Sequence, residues 1–284
     1  MGIPLDVLEK WSKPGKSENS KNTYEAFRKI IFDRCGNNLD VFLQGSYSNS
    51  THVKDNSDID IVVVDPNIMI DKDYYGILHG HNSLYGWKQV LFNKINGAQN
   101  FNLKVENKTI KYDGNNNYVP ADIVPCGKYK GMISGSPVGT ILYDSRKGKF
   151  FINYPKQHYD NGTKKSDETN GNFKKTVRMF KNARNRAVSK NLISSEGIAP
   201  SYFLECLIYN VPNSNFTGNE SEVFFKVIKW LYTNKQQLDK LKCQNGLQNL
   251  FGYDLSNVTY NKWNIQEAIL FIDGIAKLWD NWGK

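Results

Sequence analysis

The stretch Ser57-Asp58-Ile59-Asp60-Ile61-Val62-Val63 constrains this chain more than any other part of it. Its β-branched residues predict a buried strand over 59–64, closed by Asp65-Pro66. Successive side chains of a strand point to opposite faces, so Asp58 and Asp60 project from one face while Ile59 and Ile61 enter the core on the other. Two carboxylates beside a buried strand repel one another unless positive charge sits between them, and Mg²⁺, which prefers carboxylate oxygen, is a usual solution. Asp122, alone in the apolar segment Val119-Pro120-Ala121-Asp122-Ile123-Val124-Pro125, completes a three-carboxylate site if its strand pairs beside 59–64. Taken alone, an Asp-x-Asp pair can equally end a strand or cap a turn.

The segment upstream weighs toward chemistry. Val41-Phe42-Leu43 predicts a short strand leading into Gln44-Gly45-Ser46, and 47–51 has room for about one or two helical turns. Gly45 would let the backbone approach a phosphate closely, and Ser46 would add a hydroxyl and an N–H at a helix start, where anions are favoured.

Around this centre the periodicities predict a helix over 20–35, a helix over 83–95, and strands over 101–105, 109–112 and 118–124. Residues 127–171, rich in Gly, Lys, Asp and Asn, read as loops and a crossing. Beyond them apolar residues recur at three- and four-residue spacing over 173–189, 200–209, 220–241 and 265–282, so the second half is helical. The expected fold is therefore α+β, a mixed sheet with helices packed on it over residues 1–165 and a helical lobe over 166–284.

A chain of 284 residues with 39% hydrophobic content can bury one large core or two lobes sharing an interface. Its 37 Lys and Arg against 28 Asp and Glu give a formal charge of +9, which attracts polyanions such as nucleoside triphosphates or nucleic acid without specifying either. Cys35, Cys126, Cys206 and Cys243 form no CxxC pair, which argues against a zinc ribbon or a disulfide framework and for a reducing, cytoplasmic setting. No segment has the pattern of a signal peptide, a membrane span or a myristoylation site. His79-Gly80-His81 reads as an exposed loop rather than a metal site, and His52 and His158 add no ligand spacing.

The segments Leu43-Gln44-Gly45-Ser46-Tyr47, Ser57 to Val63, Ala121-Asp122-Ile123-Val124-Pro125 and the opening Leu8-Glu9-Lys10-Trp11-Ser12-Lys13-Pro14-Gly15 together resemble the bacterial cGAS/DncV-like nucleotidyltransferases (SMODS-type CD-NTases), a branch of the DNA polymerase β-like superfamily. The resemblance runs over most of the chain. It implies a polymerase β-like mixed-sheet core with a second, helical lobe, and two Mg²⁺ ions, replaceable by Mn²⁺, on Asp58, Asp60 and Asp122 as the catalytic and metal-binding residues. The nucleotide would be held by Gln44, Gly45 and Ser46. Phe173-Lys174-Lys175-Thr176-Val177-Arg178-Met179-Phe180-Lys181 is similar to the family's lysine segment and Pro200-Ser201-Tyr202-Phe203 to its Ser-Tyr segment. These add Lys181 and Ser201 for the phosphates and Tyr202 for stacking on a base.

The implied reaction is attack of a ribose hydroxyl on an α-phosphate with loss of pyrophosphate, then a second transfer that closes a cyclic di- or trinucleotide for anti-phage defence. Its partners would be nucleoside triphosphates and a downstream effector reached through the product. The His-Cys-Cys zinc insert of animal cyclic GMP-AMP synthase has no counterpart, which speaks against the same mode of double-stranded DNA sensing and for no obligatory DNA activator. No membrane partner is expected. Three rivals share the same residues: a transferase making linear oligonucleotides or extending RNA, an enzyme that modifies a protein or small molecule with a nucleotide, and a non-catalytic nucleic-acid-binding module using the basic helix. Phosphatase sensitivity of the product separates the first, and label on an acceptor the second. Three retained carboxylates argue against the third.

Overall fold

The protein is described by a computed structural model covering residues 2–16, 18–53, 58–73, 78–131, 138–252, 258–259 and 263–283; Ser57 of the Asp-x-Asp motif lies outside them. The elements in chain order are α1 (Leu5–Trp11), α2 (Glu18–Cys35), β1 (Asp40–Gln44), α3 (Gly45–Ser48), β2 (Ile59–Lys72), β3 (Leu78–His79), α4 (Asn82–Ile95), β4 (Leu103–Val105), β5 (Ile110–Tyr112), β6 (Ala121–Lys130), β7 (Gly139–Asp144), β8 (Lys149–Asn153), α5 (Pro155–Glu168), α6 (Asn172–Ser189), α7 (Ser201–Tyr209), α8 (Glu220–Thr233), β9 (Val258–Thr259) and α9 (Ile265–Asp280).

One mixed sheet runs in the order β1-β2-β6-β7-β8-β9, with β3 on the far end of β2 and the β4-β5 hairpin on the start of β6. β2 and β6 are parallel neighbours, while β1 runs antiparallel on the other side of β2. The alternation expected of β2 is present: Ile59, Ile61 and Val63 are fully buried against Phe27, Ile30 and Ile31 of α2 and Trp87 and Leu91 of α4. Val62 and Val64 face the opposite side, where with Val124, Cys126 and Leu142 they form a smaller cluster edged by Phe42 and Phe151. Asp58, Asp60 and Asp122 share the parity of that second face.

Three sequence expectations change. β2 does not stop at Asp65-Pro66; its pairing with β6 shifts register between Asp65 and Met69 and then resumes. The pairing with β1 already ends at Val64, so Pro66 removes no ladder hydrogen bond on that side. The described part of residues 127–171 is mostly regular structure rather than loop: it holds the end of β6, all of β7 and β8, and α5. Finally, the helix expected over 220–241 ends at Thr233, where the Asn234 side chain bonds back to the Trp230 carbonyl (2.8 Å), and continues only as 3-10 turns over Lys235–Lys240.

The helical lobe packs α6, α7, α8 and α9 around Phe180, Phe203, Phe224 and Phe271. Ile3 and, from α1, Leu8 join that cluster rather than the sheet, and the boundary expected near residue 165 falls inside α5. Between the lobes, the buried Arg178 of α6 donates to the carbonyls of Ser12 and Ser50.

Candidate active site

The strand register brings the carboxylates together. Asp60 on β2 is the direct partner of Asp122 on the parallel β6, and of Gln44 on the antiparallel β1. Adjacent strands lie about 4.8 Å apart, so Asp60 and Asp122 stand side by side on the same face of the sheet. Asp58 is exposed one step before β2 begins. Burial, then the charges of Asp122 and Asp58, push the Asp60 carboxyl up to about 7. Burial also raises the Asp122 carboxyl, against a hydrogen bond from the Thr109 hydroxyl (3.3 Å) that pulls it down.

These residues suit a divalent cation. The donors are all hard carboxylate oxygens, and the repulsion that raises Asp60 is what such an ion would relieve. Among the described residues no three His, Cys, Asp or Glu side chains stand at closed ligand spacing.

The Gly-Ser loop turns directly against this pair. Gly45 has a φ of +77°, a conformation that favours glycine, and a Cβ there would overlap Oδ2 of Asp60. α3 starts at Gly45, earlier than expected, and places Ser46 and Ser48 on the wall of a cleft of about 350 Å³. That cleft is lined by Gln44, Gly45, Ser46 and Asp60 from the sheet lobe and by Ser201 and Tyr202 from α7. Asp58 and Asp122 flank it without lining it.

Lys181 is placed differently from the expectation. It is 1% exposed and does not line the cleft; its ammonium donates to the Thr51 carbonyl (3.1 Å), the Thr51 hydroxyl (3.0 Å) and Glu205 Oε1 (2.8 Å). An ammonium has three protons, and these bonds account for them, so in this structure Lys181 points into the interior between the lobes.

Three further residues of the cleft wall were missed in the sequence. Glu205 and His158, both buried, and Asn153 at the end of β8 all line it. His158 stacks on Tyr202 with ring centroids 4.8 Å apart and 23° between planes. Burial would raise the Glu205 carboxyl, but the charge of Lys181 and the bond with His158 hold it well below the usual carboxylate range. Glu205 sits four residues past Ser201, one helical turn along α7, which is the only trace the sequence carries of its place beside the pocket.

A Gly-Ser turn packed on a carboxylate strand, with a helical lobe closing the cleft, defines a nucleotidyltransferase. Comparison with known proteins agrees: residues 25–136 match the nucleotidyltransferase domain, and residues 160–280 match the cGAS/DncV-like nucleotidyltransferase C-terminal helical domain. The cyclic UMP-AMP synthase of Rhodothermus marinus is 34% identical over all of both chains, and the cyclic nucleotide synthase CdnE01 of Staphylococcus haemolyticus 32% identical over 99% of this chain and 100% of that one. A solved structure of the Rhodothermus marinus enzyme with Apcpp and Upnpp superposes with a TM-score of 0.84 at 32% identity, covering 99% of this chain and 98% of that one. The chain therefore belongs to the cGAS/DncV-like nucleotidyltransferases.

Among the described residues no helix is long and apolar enough to cross a membrane.

Proposed function

We propose that this protein joins nucleoside triphosphates into a cyclic di- or trinucleotide that serves as a signal in anti-phage defence. The observation that carries this reading is the single cleft shared by Gly45, Ser46 and Asp60 of one lobe and Ser201 and Tyr202 of the other. A triphosphate needs a close-approach backbone and hydroxyls at one end and a flat ring at the other, and the cleft supplies both. The relatives point the same way, being named as cyclic nucleotide synthases over the whole length of this chain.

Each residue has a task in this reading. Gly45 admits a phosphate close to the backbone, and the Ser46 and Ser201 hydroxyls donate to phosphate oxygens. Tyr202 offers its ring to a nucleobase, a contact every base can make. Asp58, Asp60 and Asp122 would hold Mg²⁺, which when bound lowers the pKa of the attacking ribose hydroxyl and covers charge on the leaving pyrophosphate. Lobe closure around the cleft holds the two substrates for the first transfer and the linear intermediate for the second.

Incubation of the purified protein with all four α-labelled nucleoside triphosphates and Mg²⁺, followed by phosphatase and separation of products, tests the proposal. A labelled product whose migration is the same before and after phosphatase is expected, because a closed ring has no terminal phosphate to lose. A product that phosphatase shortens to a species without terminal phosphates, still labelled in its internal linkages, would indicate a linear oligonucleotide, and label on an added acceptor would indicate a modifying enzyme.

A further inference from the structure

A buried polar cluster joins the wall of the cleft to the interior between the lobes. Glu205 Oε1 accepts from Lys181 (2.8 Å) and from the Thr51 hydroxyl (2.6 Å), while Oε2 accepts from Asn49 Nδ2 (2.8 Å) and pairs with His158 Nε2 (3.0 Å). Asn49, Thr51, His158, Lys181 and Glu205 are each less than a tenth exposed. Asn49 and Thr51 belong to the segment that leaves the Gly-Ser turn, with the Asn49 N–H bonded to the Gly45 carbonyl and the Thr51 N–H to the Ser46 carbonyl. His158, Lys181 and Glu205 come from α5, α6 and α7 of the other lobe.

One carboxylate thus touches both ends of the cleft. On one side it fixes the segment that closes the Gly45-Ser46 turn; on the other it fixes the ring that Tyr202 packs against. The grip on that ring is narrow, because His158 Nδ1 has no hydrogen-bond partner among the described residues and the Nε2 bond to Glu205 is its one polar anchor there. An unheld imidazole can rotate or flip, and the Tyr202 ring stacked on it would lose its backing.

We infer that Glu205 is a positioning residue, which sets the spacing between the phosphate-binding turn and the base-stacking ring by holding Thr51 and Asn49 of one lobe and His158 of the other. The inference rests on the nucleotide-cleft reading above and adds a requirement to it: triphosphate affinity depends on a carboxylate whose oxygens are both engaged by protein partners. Lys181 acts in the same cluster as the counter-charge that lets Glu205 stay ionised in the interior.

The test is binding of the four α,β-methylene nucleoside triphosphates, with Mg²⁺, to the wild type, to Glu205→Gln and to the double variant Lys181→Met/Glu205→Leu. The double variant removes both buried charges together, a change that apolar residues of similar size commonly tolerate, so it guards against simple unfolding of the single one. Both variants should lose about tenfold in affinity for whichever analogue the wild type binds, and in turnover KM should rise more than kcat falls. Wild-type affinity in either variant, once folded, would overturn the inference. A second readout needs no variant: in the histidine ¹⁵N spectrum of the wild type, His158 should carry its proton on Nε2, protected from exchange, and its ring signals should move when the analogue binds. A proton on Nδ1 alone, or ring signals indifferent to the analogue, would overturn it equally. If the wild type binds none of the four analogues, the nucleotide-cleft reading itself falls, an outcome distinct from wild-type binding that the variants leave unchanged.

Discussion

Gly45 lies so close to Asp60 that a Cβ on residue 45 would overlap the Asp60 carboxylate, while its φ of +77° already disfavours any side chain. The turn and the carboxylate strand are therefore fitted to one another, and their spacing is part of the site. Gly45→Ala should displace one or the other by a fraction of an ångström. We expect a loss of about a hundredfold in nucleotidyl transfer, because misplacement on that scale is enough to spoil alignment of reacting groups. The backbone strain should add about 1 kcal/mol of destabilisation, read by thermal melting. Near-normal turnover in Gly45→Ala would show that the turn does not define the site.

The raised Asp60 carboxyl makes a pH-dependent prediction for the metal-free protein. Its pKa goes from 3.8 up to about 7, so between those values the folded state holds a proton that the unfolded state has released. Folding stability with chelator present should therefore fall as pH rises from about 4 to about 7, and level off above that. Asp60→Asn removes the penalty and should melt higher than wild type at neutral pH by roughly 2 to 4 kcal/mol, the gap closing toward pH 4. Melting curves of both proteins across this range, in chelator and then in Mg²⁺, check it. A variant no more stable than wild type at pH 8 in chelator would contradict it.

Glu205 carries the opposite sign. Its pKa is held below the ordinary 4.5, so its contribution is complete above that pH and is lost as pH falls through the acid range. Removing one member of the buried pair should also cost more than removing both: Lys181→Met alone leaves a buried carboxylate without its counter-charge, at about 3 to 5 kcal/mol. Chemical denaturation of Lys181→Met and of Lys181→Met/Glu205→Leu compares the two directly. Equal loss in both would mean that the pair contributes as two independent groups.

Tyr202→Ala should damage nucleotide binding much more than Tyr202→Phe. The ring stacks on His158 and lines the cleft, and loss of a base stack costs about 1 to 3 kcal/mol, or roughly tenfold to a hundredfold in affinity. Phe keeps the ring and forgoes only the hydroxyl, which the Asn245 amide approaches at 3.5 Å. Affinity and melting temperature measured on the same two variants separate stacking from packing. A folded Ala variant with normal affinity would remove Tyr202 from the site.

The parts of this molecule that were legible in its sequence are those where local pattern and final environment agree. α6 carries a strong periodicity and appears where expected, β2 begins where expected though it runs on past Pro66, and the parallel pairing of Asp60 with Asp122 follows from two apolar strands each interrupted by a carboxylate. α5 was read as loop because its residues are polar and Gly162 interrupts it. It is held by tertiary bonds instead: Lys165 donates to the Val211 carbonyl and to Asn213, the Gln244 amide reaches the His158 carbonyl, and Gly162 leaves room for that same amide. Lys181 shows the other limit. The family resemblance singled out a lysine on α6, but its partner Glu205 lies 24 residues away, and only packing of α6 on α7 decides that the ammonium faces inward.

The central claim is that the carboxylates facing the Gly45-Ser46 turn carry nucleotidyl transfer. Pyrophosphate release from a mixture of the four nucleoside triphosphates and Mg²⁺, measured side by side for the wild type and for Asp58→Asn/Asp60→Asn, tests it most directly. The account predicts release by the wild type and none above background in the double variant, whose circular dichroism and melting should show an intact fold. Unchanged release by a folded double variant would contradict it.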